Sequence, residues 1–223
     1  MSKKNTNNPA LANKSTQSLT GFKFAGKTIV ISKEDKICYL LLMLLLIIAY
    51  NIRSNFFTIP FERDEGIYVY FGNLILEGKI PYRDFIEAKF PGIFYFYALM
   101  VKLFGYNLPG IHFGFTCLNL LSAVFIYFAS RNLFSPIAGL ISTTTFLFVS
   151  LTPNLSGFTV QSEHGVAFFT SLAFLFYSLI KLYNKWVYYF LMGLCLGAAV
   201  LIKTNAVFLV AWGCLILFSD FIF

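Results

Sequence analysis

Charge is what this sequence has least of. Only 12% of its 223 residues are charged, whereas 58% are hydrophobic and 19% are aromatic. An ordinary soluble domain is about 25% charged, and a soluble chain this apolar would have too few polar groups to cover its surface. The scarcity of charge therefore excludes an ordinary soluble domain and predicts a membrane protein.

Several common sites are also missing from the sequence. The four cysteines each lie in an apolar stretch and form no C-x-x-C pair, which argues against zinc or redox chemistry. No P-loop, G-x-G-x-x-G motif or nucleophile elbow occurs. Seven scattered lysines precede the first apolar run, a distribution that favours a cytoplasmic tail under the positive-inside rule over nucleic-acid binding.

Apolar runs are what the sequence has in place of charge. A helix needs about 20 apolar residues to cross a bilayer, and about six runs approach this length. They cover residues 37–55, 108–130, 136–151, 162–180, 186–202 and 205–222. The first run begins too late for a secretory signal peptide. The predicted fold class is all-α: a polytopic membrane protein with about six transmembrane helices.

The charges predict the domain organisation and the topology. Residues 1–36 are polar and are predicted to be a disordered cytoplasmic tail, followed by a membrane domain over 37–223 with a large outer loop at 56–105. This arrangement predicts a multi-pass protein of the plasma or inner membrane with a cytoplasmic N-terminus. The cations that follow the second and fourth spans fall on the same side as the tail: Arg131, Lys181 and Lys185.

The outer loop is predicted to contain two interfacial amphipathic helices. Apolar residues recur at i, i+3, i+4 and i+7 from Ile67 to Leu74, and Gly78 is well placed to end that helix. A second helix is predicted from Pro91, a favoured first-turn residue, to Phe104. Both helices are too short to span, and the second is too apolar for free solution, so both are expected at the outer interface.

Carboxylates in this loop are the first candidates for chemistry. The loop holds six of the chain's ten acidic residues; Asp64 and Glu65 open the first predicted helix, and Asp84 and Glu87 lie between the two helices. Such oxygens can bind Mg²⁺ or Mn²⁺, and one carboxylate can act as a general base. The alternative for Asp64 is a purely structural helix N-cap.

Cations beside these carboxylates are candidates for binding a phosphate. Arg63, Arg83 and Lys89 lie in the outer loop, and Lys203 lies at the outer end of the fifth span. Lys203 either extends to the interface or binds phosphate. Acidic and basic groups together predict a site for a lipid-linked phosphate at the water–lipid boundary.

A second outer loop supplies two further candidates. Glu163 and His164 lie where this loop meets the fourth span, on the same side as the first loop. Their alternative role is simple placement at the interface.

The stretch from Arg63 to Tyr95 resembles the first outer loop of the GT-C membrane glycosyltransferases. The most similar branch contains bacterial relatives of protein O-mannosyltransferases and the aminoarabinose transferase that acts on lipid A. In that branch a D-E pair follows the first span, and a K-P-P-G-like element begins the second interfacial helix. Here the sequence has Asp64-Glu65 and Lys89-Phe90-Pro91-Gly92, with Phe90 replacing the first proline.

The resemblance continues more weakly through the spans. The acidic residue that opens the fourth span matches Glu163, and the G-x-x-x-G-x-x-x-x-x-K pattern of the fifth span matches Gly193, Gly197 and Lys203. Family members are longer than this chain, which ends in apolar sequence. We therefore expect an N-terminal part of a longer enzyme that lacks later spans of the donor pocket, and the residues leave open whether this part is active alone.

The resemblance implies transfer of a sugar from a polyprenyl phosphate carrier to a lipid, glycan or protein acceptor at the outer face. Asp64 would be the catalytic acidic residue, which accepts the acceptor's proton or holds a metal. Glu87, or else Asp84, would be the second ligand of a divalent cation, Mg²⁺ or Mn²⁺. Lys89 would contact the donor phosphate.

Two other functions remain open from the residues. A transporter or flippase for a lipid-linked sugar would place charges or broken helices near the bilayer midplane, whereas here most of the charge lies in an outer loop. A non-catalytic membrane subunit is the other alternative, against which the intact acidic residues argue.

Overall fold

Helices dominate a computed structural model that describes residues 20–24, 27–152 and 157–222. The chain divides into two units, Met1–Ile37 and Cys38–Phe223, and each is described by itself. Within the described residues there are eight α-helices: α1 Lys33–Ser54, α2 Arg63–Leu76, α3 Pro91–Phe104, α4 Leu108–Leu133, α5 Pro136–Val149, α6 Ser162–Tyr183, α7 Trp186–Ile202 and α8 Val207–Ile222.

The first unit differs from the predicted disordered tail. Strands Thr20–Phe24 (β1) and Lys27–Ile31 (β2) pair in antiparallel register, with Thr20 opposite Ile31. Helix α1 also begins at Lys33, four residues before the predicted span. The prediction of disorder up to residue 36 is wrong for this part, and residues 1–19 and 25–26 lie outside the described residues.

Helix boundaries follow local sequence signals. Asn107 and Ser135 cap α4 and α5, because their side-chain oxygens accept bonds from the amides three residues later at 2.9 and 3.1 Å. Gly78 follows α2 with a φ of 87°, the left-handed conformation that glycine adopts without a Cβ clash. The predicted ends of both outer-loop helices are confirmed to within one residue.

The membrane-spanning character rests first on three long apolar helices. In the described part of the chain, α1, α4 and α6 contain 22, 26 and 22 residues and are apolar enough to cross a bilayer. Helices α5, α7 and α8 coincide with the other predicted spans but are shorter, at 14, 17 and 16 residues. The chain is a polytopic helical membrane protein.

Helix α3 lies at the centre of the largest hydrophobic cluster. Its side chains Ile93, Phe94 and Tyr97 are at most 2% exposed, and the helix contacts α2, α4 and α7. A stripe of Tyr95, Leu99 and other apolar residues stays exposed on the opposite side. The apolar character that predicted an interfacial position is therefore largely explained by packing against neighbouring helices.

Helix α2 buries a different face from the predicted one. Tyr70, in the predicted apolar stripe, is 50% exposed, whereas Glu65 and Val69 are buried. The apolar pattern could not indicate this face, because its buried side includes the carboxylate of Glu65. A carboxylate can occupy a core position when hydrogen bonds satisfy its oxygens.

A buried arginine attaches the end of α1 to the region between α5 and α6. Arg53 is 4% exposed. Its Nη1 atom donates to the carbonyl oxygen of Gly157 at 2.6 Å, and its Nη2 atom donates to that of Ser150 at 2.8 Å. These charge-assisted bonds fix both described ends of the α5–α6 connection on α1.

Candidate active site

Four segments of the chain meet around one polar pocket of ≈ 290 Å³. They are the first turn of α2, the residues that precede and begin α3, the start of α6, and the residues that follow α7. The lining residues are Asp64, Tyr68, Ala88, Lys89, Phe90, Ile93, Gln161, Ser162, Ile202, Lys203, Thr204 and Asn205. Three predicted site residues, Asp64, Lys89 and Lys203, are thus brought together from positions far apart in the sequence.

Asp64 is not the N-cap of α2. Glu62 occupies that position, and Asp64 is the second residue of the helix. Its side chain is 44% exposed and lies 3.4 Å from Nε of Arg63, which is 88% exposed. The capping alternative is therefore wrong, and Asp64 presents a carboxylate to the pocket in a helix first turn, where negative charge is favoured.

Tyr68 lies one helical turn after Asp64 and lines the same pocket. Burial raises the pKa of its hydroxyl to about 12, and the negative charges of Asp64, Glu87 and Glu163 act in the same direction. Tyr68 therefore stays neutral at physiological pH and can donate a hydrogen bond to a ligand. Tyr68 was not among the predicted site residues, although its i, i+4 spacing from Asp64 could have indicated it.

Lys89 reaches the pocket from the connection between α2 and α3. The hydroxyl of Tyr82 donates to the backbone carbonyl of Lys89, and Tyr82 itself has a φ of 66°. This hydrogen bond joins two residues of the α2–α3 connection that are seven positions apart. It thereby holds the backbone of Lys89 in place just before the start of α3.

Lys203 enters the pocket from the end of α7. Its ammonium group pairs with the carboxylate of Glu163 in the first turn of α6. Lys203 and Glu163 also line a second cavity of ≈ 260 Å³, together with Val166, Asn205, Ala206 and Leu209. The pair thus stands between the polar pocket and a cavity with an apolar wall.

Gly92 is the reason that α3 and α7 approach closely enough to build this site. A Cβ atom at Gly92 would lie 2.5 Å from the backbone oxygen of Leu201, closer than such atoms approach in proteins. The glycine of the Lys89–Gly92 element therefore allows the ends of α3 and α7, and with them Lys89 and Lys203, to share one pocket.

Glu65 points into the protein core, away from the pocket. It is 0% exposed; Oε1 accepts from the amide of Val160 at 3.0 Å, and Oε2 accepts from the amide of Glu62 at 3.0 Å. Burial raises its pKa, although these backbone bonds oppose the shift. The geometry suits a carboxylate that holds backbone segments together more than one that meets a substrate.

The remaining outer-loop candidates lie outside the pocket lining, so far as the structure describes it. Asp84 pairs with Arg83 at 2.8 Å and accepts from the amide of Ile80 at 2.8 Å; the guanidinium lowers the pKa of Asp84 to about 2. Glu87 accepts from the amide of Ala88. His164 is buried, and its ring packs against Phe115.

The proposed metal ligands do not form a cluster. Asp64, Asp84 and Glu87 make separate contacts, and among the described residues no group of three or more His, Cys, Asp or Glu side chains is placed to hold a metal ion. The donor set therefore does not fit the predicted divalent cation in this arrangement.

Four polar lining residues besides Tyr68 belong to no motif recognised in the sequence. Gln161 and Ser162 begin α6, and Thr204 and Asn205 follow Lys203. Their positions in the sequence, next to the candidates Glu163 and Lys203, could have indicated them, because residues adjacent to a site residue often line the same site.

The family model of dolichyl-phosphate-mannose-protein mannosyltransferases matches residues 88–221. This match begins at the loop of Lys89 and contains both α6 and α7, so it covers three of the pocket's four segments. The chain belongs to this mannosyltransferase family. No curated protein and no solved structure matches the chain.

Membership of the mannosyltransferase family confirms the resemblance and sets the general activity. The chain is a membrane glycosyltransferase of the GT-C type. Family members use a lipid-linked sugar donor and a glycan or protein acceptor at a membrane. This favours the transferase over the flippase and the non-catalytic subunit.

Proposed function

We propose that this mannosyltransferase-family protein moves a sugar from a polyprenyl phosphate to an acceptor hydroxyl at the outer membrane face, in the pocket of Asp64, Lys89 and Lys203. One observation carries the proposal. The pocket combines a single half-exposed carboxylate with two lysines from separate segments, which matches a reaction that needs one base and an anion site.

The proposed chemistry assigns one role to each charge. The acceptor oxygen attacks the anomeric carbon, and its proton passes to the carboxylate of Asp64. The bond between the anomeric carbon and the phosphate oxygen breaks, and the electron pair leaves with the phosphate. Lys89 and Lys203 stabilise the phosphate charge that develops, in a site partly shielded from water.

Lys203 must exchange partners during this cycle. It is paired with Glu163 in the structure, so a phosphate competes with a carboxylate for the same ammonium group. Tyr68, neutral and adjacent, is proposed to hydrogen-bond the sugar or phosphate. The proposed steps involve no metal, because the described carboxylates form no ligand cluster; the predicted metal requirement is tested with a chelator.

Asp64→Asn tests the proposal. We expect sugar transfer from a polyprenyl-phosphate-linked sugar in purified membranes to fall by about a hundredfold or more, which corresponds to about 3 kcal/mol of transition-state stabilisation. Asn keeps the size of the side chain but cannot accept the proton.

The matched control is Asp84→Asn, an outer-loop aspartate that is paired with Arg83 outside the pocket. Its transfer rate should stay within about threefold of wild type. Equal rates for wild type and Asp64→Asn, at equal expression, would refute the catalytic role. Repeating the assay with EDTA and then with added Mg²⁺ or Mn²⁺ decides the metal requirement.

Lys203→Ala separates phosphate binding from catalysis. We expect it to weaken binding of polyprenyl phosphate, measured as a ligand-induced rise in melting temperature in detergent. A shift equal to that of wild type would remove Lys203 from the phosphate site.

A further inference from the structure

The backbone of one residue between α5 and α6, Val160, is held on both its amide and its carbonyl by buried side chains. The amide of Val160 donates to Oε1 of Glu65 at 3.0 Å, and its carbonyl oxygen accepts from the hydroxyl of Tyr97. All three residues are 0% exposed. We call this arrangement, formed by Glu65, Tyr97 and Val160, the Val160 clamp.

The Val160 clamp connects three helices. Glu65 comes from α2 and its second oxygen holds the amide of Glu62 at the start of the same helix. Tyr97 comes from α3. Val160 directly precedes Gln161, the N-cap of α6, so both partners act just before the chain enters that helix.

The residues that follow the clamp form one wall of the pocket. Gln161 and Ser162 line it together with Asp64, and Glu163 pairs with Lys203. Gln161 also donates to Glu62 on α2. A displacement of Val160 therefore moves the wall and changes its distance from the carboxylate of Asp64.

We propose that Glu65 and Tyr97 are positioning residues that set the separation between Asp64 and the α6 wall of the donor pocket by gripping Val160. The inference rests on the proposed function of that pocket. The proposal gives the two carboxylates different roles: Asp64 contacts the substrate, and Glu65 fixes the α6 wall.

Helix geometry and burial support these separate roles. Successive residues on an α-helix are about 100° apart around its axis, so Asp64 and Glu65 point in different directions, Asp64 to the pocket and Glu65 to the core. A buried carboxylate is costly unless its oxygens are satisfied, and here both accept backbone amides. The clamp is thus a built contact whose loss leaves a buried amide or carbonyl unpaired.

Tyr97→Phe is the least disruptive test, because it removes only the hydroxyl. The matched control is Tyr127→Phe, since Tyr127 is also 0% exposed but packs with Cys38 and Leu42 in another cluster. We expect Tyr97→Phe to raise the dissociation constant of a polyprenyl-phosphate-linked sugar about tenfold, with a smaller change in the maximal transfer rate. Tyr127→Phe should leave both within about twofold.

A double-mutant cycle distinguishes positioning from general destabilisation. In a Gln161→Ala background the wall is already altered, so the effect of Tyr97→Phe on donor binding should shrink from about tenfold to below about threefold. A loss that is the same in both backgrounds, or equal for Tyr97→Phe and Tyr127→Phe, would overturn the clamp as a positioning device.

Glu65 is tested by comparing two substitutions. Glu65→Gln retains one carbonyl oxygen for the amide of Val160 and should bind donor better than Glu65→Ala, in which both acceptors are lost. Equal donor binding by wild type, Glu65→Gln and Glu65→Ala would refute the role of Glu65. Asp64→Asn separates the two proposals: if it is inactive while the clamp variants behave as wild type, only the clamp fails.

Discussion

Two neighbouring carboxylates have opposite environments in this protein. Asp64 has a side chain that is 44% exposed in a pocket, whereas Glu65 is 0% exposed and bonded to backbone amides. Their chemistry differs accordingly, because solvent and cations stabilise a charge that the core penalises. The sequence presents them as an equivalent pair, and only their directions on α2 distinguish them.

The raised pKa of Glu65 predicts a pH dependence of stability. Between the ordinary carboxyl pKa of 4.5 and the raised value, the folded state binds more protons than the unfolded state, so stability falls as pH rises through this window. We expect the melting temperature of wild type in detergent to decrease over that window relative to Glu65→Gln, which has no proton to lose.

Asp84 does not disturb this measurement. Its pKa is lowered to about 2, so its contribution to stability is present above its ordinary pKa and is lost only as pH falls toward 2. A melting temperature that rises relative to Glu65→Gln over the same window would show that the hydrogen bonds to Glu65 outweigh its burial.

At the scale of elements, the close contact of α3 with α7 depends on Gly92. A Cβ there meets the backbone of Leu201 at 2.5 Å, and backbone cannot move aside cheaply. We expect Gly92→Ala to destabilise the protein by about 1–3 kcal/mol and to lower sugar transfer at least tenfold by separating Lys89 from Lys203. Thermal unfolding and the transfer assay check both effects.

Gly193 supplies the matched control for Gly92. Within the described residues, and apart from its chain neighbours and the adjacent backbone of α7, no atom lies within 4 Å of a Cβ at Gly193. Gly193 lies inside α7, where alanine is favoured over glycine by about 1 kcal/mol. Gly193→Ala should keep full activity. Normal activity of Gly92→Ala would show that the α3–α7 contact does not set the site.

Local signals predicted the elements well and their packing poorly. Proline at the starts of α3 and α5, side-chain caps and Gly78 place helix ends correctly, because these act through the nearest backbone groups. The prediction of the buried face of α2 was wrong, and the apolar character of α3 was attributed to lipid contact. Both features depend on packing against other helices, which the apolar periodicity of a single segment cannot reveal.

At the scale of the whole molecule, the distribution of charge predicts which side of the membrane the pocket faces. By the positive-inside rule, Arg131, Lys181 and Lys185 are expected on the inner side and the Asp64 pocket on the outer side. In a cysteine-free background, we expect Glu77→Cys to react with an impermeant maleimide in intact cells and Lys185→Cys to react only after permeabilisation.

The opposite labelling pattern would show that the protein has the reverse orientation in the membrane. The pocket and its lysines would then face the cytoplasm, and the donor would have to be presented on that side. If neither cysteine reacts in intact cells and both react after permeabilisation, the outer loop lies in an internal compartment.

The sequence by itself determined the membrane class, the helix boundaries and the D-E and K-F-P-G elements, because hydropathy, capping and local motifs depend on neighbouring residues along the chain. It also selected Asp64, Lys89 and Lys203. Only the tertiary structure decided that these three share a pocket and that Glu65 faces the core. Both outcomes depend on contacts between segments far apart in the sequence, such as that of Glu65 with Val160.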